Sequence, residues 1–343
     1  MIAAGEGGAS PELEARFAKG IDLQKIRALL FEAREQAGLP AETVCVLNLL
    51  AVHFSTAAYE RSKASLEGAS ALHPARLISL IAEPKLSPEQ VIARVSTVRP
   101  KGSASALEHI VLTAQGGAVR HLESAVTGLL VPEVPLAVVW GGRPEGDLLR
   151  HVAESADRVI IDSGTRPVQA LADVAALLAR GAPLGDLAWA RIYPWQALAA
   201  DVLDLPRLRE HRGNVVSARV TAAGEPGPEA ALLAGWFQSR VRQARVELSA
   251  GPSSGGDVVE LRFEAPPAVF TLRRENWILA AEVRGDDDGE LVHRVRVPPD
   301  APGRLLGMEL QLLSGQDALY AAAVAQAVRF LGGRGTDSVR ARK

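Results

Sequence analysis

Apolar residues recur at three- and four-residue spacing across residues 22–38, where Ile26, Leu29, Leu30 and Ala33 share one helical face until Gly38 and Pro40 end it. The pattern then changes. Residues 44–52 (VCVLNLLAV) are apolar on both faces, as a strand buried between layers requires, and Cys45 falls inside the run. A polar helix through Arg61 and Leu66 leads to a second strand at 75–82, and β segments at 91–98 and 108–113 extend the same sheet. Beyond Gly116-Gly117, a helix through Leu122, Val126 and Leu129 precedes a strand at 136–140. A further helix, a strand at 158–162 and a helix at 168–179 follow. Strands alternating with helices at this spacing predict an α/β domain, a layered sheet with helices, over residues 21–183.

From residue 184 the rhythm differs. Trp195, Leu198, Ala199, Val202 and Leu203 form one helical stripe, and Ala231, Leu232, Leu233, Trp236 and Phe237 form another. Residues 258–297 alternate with period two: Val259, Leu261 and Phe263 face one way, and Glu260, Arg262 and Glu264 the other. This predicts an antiparallel meander with a hairpin turn at Asp286-Asp287-Asp288-Gly289. Helices at 302–313 and 317–331 are expected to cover its apolar face. Residues 184–332 therefore read as an α+β domain, with a flexible N-terminus at 1–20 and a flexible basic tail at 333–343.

The chain has 343 residues, enough for about two domains with full cores. A net charge of −2 supplies no basic field for phosphate, which argues against nucleic acid as a partner. The single thiol, Cys45, excludes an intrachain disulfide, a CxxC pair and a cysteine-only metal site, and fits a reducing cytoplasm. Residues 1–6 resemble no signal peptide, and no apolar run is long enough to span a bilayer, so a soluble cytoplasmic protein without membrane contact is expected.

Neither GxGxxG nor GxxxxGK[ST] occurs. The nearest candidate is Gly141-Gly142-Arg143, a glycine loop after a strand with an Arg suited to phosphate; its plainer reading is a turn. Asp162-Ser163, at another strand end, is likewise either a ligand loop or a strand-to-helix turn. The seven histidines show no ligand spacing and read as surface or capping residues; no metal and no cofactor is expected. GxSxG is absent, and Asp201 and Asp204 flank an apolar stripe as a solvated face would. With no catalytic constellation in view, the chain reads as a non-enzyme.

The densest local signal is residues 185–195, where Trp189, Arg191, Tyr193 and Trp195 cluster in a chain only 4% aromatic. These residue types dominate interface hot spots, and they equally wedge helices onto cores. Both readings stand.

Here the chain resembles the OpcA family, the glucose-6-phosphate dehydrogenase assembly proteins. The resemblance rests on Asp186-Leu187-Ala188-Trp189-Ala190-Arg191 with Pro194-Trp195, on residues 130–136 running into Val139-Trp140, on residues 156–163, on His73-Pro74-Ala75-Arg76, and on Leu232-Leu233-Ala234-Gly235-Trp236. It implies a non-catalytic partner that binds glucose-6-phosphate dehydrogenase and promotes its oligomeric, active state in the oxidative pentose phosphate pathway. The alternative is a sugar-phosphate- or nucleotide-binding α/β protein or enzyme using the loops at Gly141, Gly142 and Arg143 and at Asp162 and Ser163. The chain departs from its relatives twice. Members from photosynthetic bacteria are associated with thioredoxin control through cysteines, whereas Cys45 stands alone here, and Gln196 follows the Pro-Trp pair where relatives often carry Arg.

Overall fold

The computed structural model describes residues 11–18, 20–39, 45–98, 107–142, 147–206, 208–252, 255–285, 290–297, 303–313 and 315–340. The chain forms two compact units, residues 1–161 with 300–315 and residues 162–299 with 316–343. The hydrophobic pattern of the sequence places a domain boundary at 183/184.

Unit 1 begins with β1 (Leu13–Phe17), α1 (Leu23–Gln36), β2 (Leu47–His53), α2 (Thr56–Leu72) and β3 (Ala75–Glu83). It continues through β4 (Gln90–Val98), β5 (Leu107–Gln115), α3 (Leu122–Leu129), β6 (Leu136–Trp140), α4 (Asp147–Ser155) and β7 (Arg158–Ile161). Its strands lie in the order β1-β4-β5-β3-β2-β6-β7. Neighbours among β5, β3, β2, β6 and β7 run parallel, while β4 runs antiparallel to both β1 and β5. Every residue of β2 is buried, as its two-faced apolar run predicts for a central parallel strand. Asp22 caps α1 by accepting from the amides of Gln24 (2.9 Å) and Lys25 (3.1 Å), and Ile26, Leu29, Leu30 and Ala33 are the face it buries. Buried Asn48 pins the turn before β6, donating to Val131 O (2.9 Å) and accepting from Val131 N (2.8 Å).

Two sequence expectations change in this unit. Residues 13–17 lie in the stretch expected to be loose, yet they pair with β4, because Leu13, Ala15 and Phe17 alternate in a run too short to stand out by itself. Cys45 precedes its strand, since pairing with β3 and β6 begins at Leu47↔Ala75 and Asn48↔Leu136. It is half-buried, and its thiol donates to Leu47 O at 3.2 Å.

Unit 2 comprises α5 (Leu171–Ala179), β8 (Leu184–Asp186), α6 (Leu187–Asp204), β9 (Ser217–Ala222), α7 (Pro228–Arg240), β10 (Arg245–Ala250), β11 (Val258–Ala265), β12 (Ala268–Glu275), β13 (Ile278–Arg284) and β14 (Glu290–Arg296). The chain then returns to unit 1 as α8 (Arg304–Leu310) and ends in unit 2 with α9 (Ala318–Arg340). The helix α9 thus runs into the stretch expected to be a loose tail. Strand order is β10-β9-β11-β12-β13-β14, antiparallel except for the β9–β10 pair. The predicted meander is β11 to β14, and the predicted turn at 286–289 lies outside the described residues.

The meander's apolar face is covered by α6, on β12 to β14, while α7 covers β9 and β10. The two C-terminal helices expected there go elsewhere: α8 packs on α2 and β7 in unit 1, and α9 backs onto α7 and α5. Contact between α9 and α7 is tight enough that a Cβ on Gly235 would lie 2.1 Å from Ala323 O. The core of unit 2 is aromatic, with Phe263 stacked on Phe270 at 4.6 Å and Phe237 tilted against Phe263 at 5.2 Å. The sequence pattern starts the first stripe at Trp195. In the structure α6 starts at Leu187 and carries Pro194 inside it; burial of Ala188, Ile192, Trp195 and Ala199 along one helix outweighs the lost backbone bond.

Candidate functional site

Three segments of unit 2 converge on Arg191 of α6. Its Nη1 donates to Asp162 Oδ1 at 2.8 Å and its Nη2 to Asp162 Oδ2 at 2.7 Å, the two-pronged geometry that guanidinium and carboxylate favour. Nη1 also reaches Glu229 Oε1, in the first turn of α7, at 3.3 Å. Gly164 makes room, for a Cβ there would sit 2.8 Å from Arg191 Nη1 and 3.0 Å from Glu229 Oε1. Burial pushes the Glu229 carboxyl up to about 7; Arg191 opposes that rise, and the negative charges of Asp257 and Asp162 add to it.

The neighbouring residue, Ser163, belongs to a second knot. Asp186 is fully buried and accepts from Ser163 N (3.0 Å), Ser163 Oγ (2.6 Å), Ala188 N (3.0 Å) and Tyr320 OH (2.8 Å). Burial raises its carboxyl above the usual range, and these donors work against the rise. Asp186 is thereby both the N-cap of α6 and its tie to α9. Trp189 strengthens that tie, donating from Nε1 to Asp317 Oδ2 at 3.0 Å with its ring 5.5 Å from that of Tyr320.

The four aromatic-segment residues play different parts. Trp195 is buried and Trp189 half-buried, whereas Tyr193, one turn beyond Trp189, is 56% exposed. Leu319 is exposed as well, on the first turn of α9 whose amides Asp317 caps. Arg191 is braced from within by carboxylates. The Ser163 hydroxyl donates to the same buried carboxylate that caps α6 and accepts from Tyr320 of α9, so the cluster binds chain segments together and sets α6 in place.

The candidate ligand residues follow two strands, β6 and β7, that pair with each other in parallel. Gly141 and Gly142 follow β6 in unit 1, Asp162 and Ser163 belong to unit 2, and Arg143 lies outside the described residues. Gly141 makes a turn contact, its amide donating to Val52 O at 2.9 Å. From the sequence, Asp186 enters only as part of the family motif, and Glu229, Asp317 and Tyr320 are not among the candidate site residues. Asp186 and Asp317 each leave a local trace, as an Asp placed just before a helical apolar run.

Two histidines are also not surface residues. His53 and His109 are buried in unit 1, where His109 Nε2 lies 3.1 Å from Ser79 Oγ and His53 Nε2 lies 3.4 Å from Ser62 Oγ. Glu67 stands 4.0 Å from His109 Nδ1, completing a serine–histidine–carboxylate series. Ser79 is fully buried, and burial holds His109 down at about 3 and His53 at about 4, so both imidazoles are neutral inside the folded unit. Among the described residues no group of three or more His, Cys, Asp or Glu could hold a metal ion, and no helix is long and apolar enough to cross a membrane.

Fold and site together define a two-unit α/β protein, with a mostly parallel sheet in the first unit and a mixed, largely antiparallel sheet in the second. The profile of the glucose-6-phosphate dehydrogenase subunit N-terminal domain matches residues 67–177, and that of the corresponding C-terminal domain matches residues 182–324. The chain belongs to the OpcA family. It is similar to the putative OxPP cycle protein OpcA of Synechocystis sp., with 28% identity over 57% of this chain and 43% of that protein. The protein of the same description from Nostoc punctiforme is 32% identical over 45% of this chain and 35% of that protein. A third, from Synechococcus elongatus, is 26% identical over 68% and 50%. The matches thus span half or less of these relatives' length. Solved structures with a similar course include an aldose-aldose oxidoreductase from Caulobacter crescentus, at 10% identity and TM-score 0.46, covering 86% of this chain and 98% of that one. UDP-N-acetylglucosamine 3-dehydrogenase GnnA from Acidithiobacillus ferrooxidans follows at 11% identity and TM-score 0.42, covering 82% and 96%.

Proposed function

We propose that the chain is a non-catalytic partner of glucose-6-phosphate dehydrogenase that promotes the enzyme's oligomeric, active state in the oxidative pentose phosphate pathway. Membership of the OpcA family carries this reading. The physical requirement is that the chain bind the active form of the enzyme more tightly than the inactive one, since equal affinity shifts no equilibrium.

The contact face we assign is the outward side of α6 and the start of α9, with Tyr193 as the anchor, Trp189 one turn from it and exposed Leu319 on α9. Tyr193 is supported by its exposure, Trp189 by a ring already held in place by Asp317 and Tyr320, which lowers the entropy lost on docking. Arg191 and Trp195 serve this face by fixing the helix. Mixing the chain with its cognate dehydrogenase at micromolar concentration should raise particle mass in light scattering and increase initial rates. Tyr193→Ala should weaken the complex by about 2 kcal/mol with an unchanged melting temperature. Unaltered mass and kinetics on mixing would overturn the reading.

A further inference from the structure

The parallel strands of unit 1 follow the chain order β2, β3, β5, β6, β7 but lie in the sheet as β5-β3-β2-β6-β7, so the order reverses between β2 and β6. In open doubly wound sheets the crevice outside the strand ends at such a reversal is the ligand site. Dinucleotides use it in a set way: glycines in the first strand-to-helix turn admit the backbone to the pyrophosphate, and the helix N-terminus takes the negative charge.

The chain's own side chains stand at each of those places. The turn from β2 to α2 reads His53-Phe54-Ser55-Thr56, without a glycine. Phe54 meets Trp140, at the end of β6, edge to face at 5.5 Å, and a Cβ on Gly142 would lie 2.6 Å from the Phe54 ring. The aromatic pair and the glycine backbone thus already touch. At the first turn of α2, Glu83 Oε1 accepts from Thr56 N at 3.0 Å and from Thr56 Oγ1 at 2.8 Å, while Ser55 Oγ accepts from Ala58 N at 3.2 Å. Glu83 is the last residue of β3, the strand end from which an acidic residue in dinucleotide-binding sheets reaches the ribose. Here it turns onto the helix end and places a carboxylate where a phosphate would sit.

We infer that the switch-point crevice of unit 1 is occupied by the protein itself, with Glu83 standing in for the phosphate and the Phe54–Trp140 pair filling the adjoining space, so that the crevice is closed to dinucleotides. A second anion at this helix end meets a resident negative charge and two amides already engaged. The inference concerns unit 1 and is independent of the contact face assigned on unit 2.

The experiment is a calorimetric titration of the full chain with NADP⁺, NADPH and NAD⁺, together with melting curves in phosphate and in chloride of equal ionic strength. The wild-type chain should give no binding heat up to millimolar nucleotide and no phosphate-specific shift. Glu83→Ala should melt about 2–4 °C lower, as loss of a helix cap does, and regain part of that in phosphate but not in chloride. Should Glu83→Ala fail to fold, Glu83→Gln keeps an acceptor for Thr56 without the charge and should show the same phosphate-specific gain. Saturable micromolar binding of a dinucleotide to the wild-type chain, or a folded Glu83 variant indifferent to phosphate, would overturn the inference.

Discussion

At the level of single residues, Arg191 changes meaning between sequence and structure. An arginine in an aromatic-rich segment looks like an interface anchor, yet its guanidinium is shared by Asp162 and Glu229, with the side chain 28% exposed. Arg191→Ala leaves two carboxylates together in a half-buried place. The expected cost is about 2–3 kcal/mol of folding stability in denaturant titration, more than the loss of an exposed ion pair. Arg191→Lys retains the charge but not the two-pronged bond, and should fall between.

Ionisation gives the two units opposite responses to pH. Glu229 has its folded pKa raised from 4.5 to about 7, so the folded state of unit 2 holds this proton more tightly than the unfolded chain does. Its contribution is complete below about pH 4.5 and is lost as pH rises through about 7. In unit 1, folding lowers His53 to about 4 and His109 to about 3 from an ordinary 6.5, so the unfolded chain takes up protons first and stability falls as pH drops below 6.5. Glu67, raised by burial, offsets part of that loss. Hydrogen exchange between pH 5 and 8 should therefore show unit 1 strengthening with pH while unit 2 weakens. Glu229→Gln should flatten the response of unit 2 alone.

Among the elements, α8 depends on one glycine. Gly303, at the N-terminal end of α8, has φ +84°, and a Cβ there would lie 2.3 Å from Ala69 N and 2.7 Å from Ser65 O on α2. Both the backbone conformation and the close approach require glycine. Gly303→Ala must force α8 away from α2, and a loss of at least about 2 kcal/mol in unit 1 is expected by chemical denaturation. The helix α6 makes the complementary point. Its apolar stripe was legible from Trp195 onward, but its first two turns were hidden by Pro194, a residue whose local preference yields to the burial of the whole helix.

At the scale of the whole molecule, the chain leaves unit 1 after residue 161 and returns to it at residue 300. Residues 300–315 complete unit 1, where Glu309 meets Arg158 of β7 at 2.7 Å and Gly315 O accepts from the same guanidinium at 3.2 Å. Both charged side chains are buried, so removing one partner strands the other. Arg158→Met alone should cost about 3–5 kcal/mol, whereas Arg158→Met with Glu309→Leu should be close to neutral. By the same argument a fragment of residues 1–161 should lack fixed tertiary structure in near-ultraviolet circular dichroism, and fusing residues 300–315 to it should restore a cooperative melt.

The elements legible in the sequence were those whose pattern is local and whose burial is complete. The two-faced apolar run of β2, the alternation of β11 and the stripe of α1 each record in a few consecutive residues which sides face the core, so periodicity reads them directly. Short strands such as β1, β9 and β10 carry too few alternations to register. What only the tertiary structure decided is which distant segments meet: Arg191 finds Asp162 across 29 positions and Glu229 across 38, and Tyr320 finds Asp186 across 134. The pattern of α8 shows that it buries an apolar face, and nothing local distinguishes the meander of unit 2 from the α2 surface of unit 1 as its destination. The choice falls to shape and charge at long range, a glycine that fits only against α2 and a glutamate that answers a buried arginine, and these are properties of the folded neighbourhood.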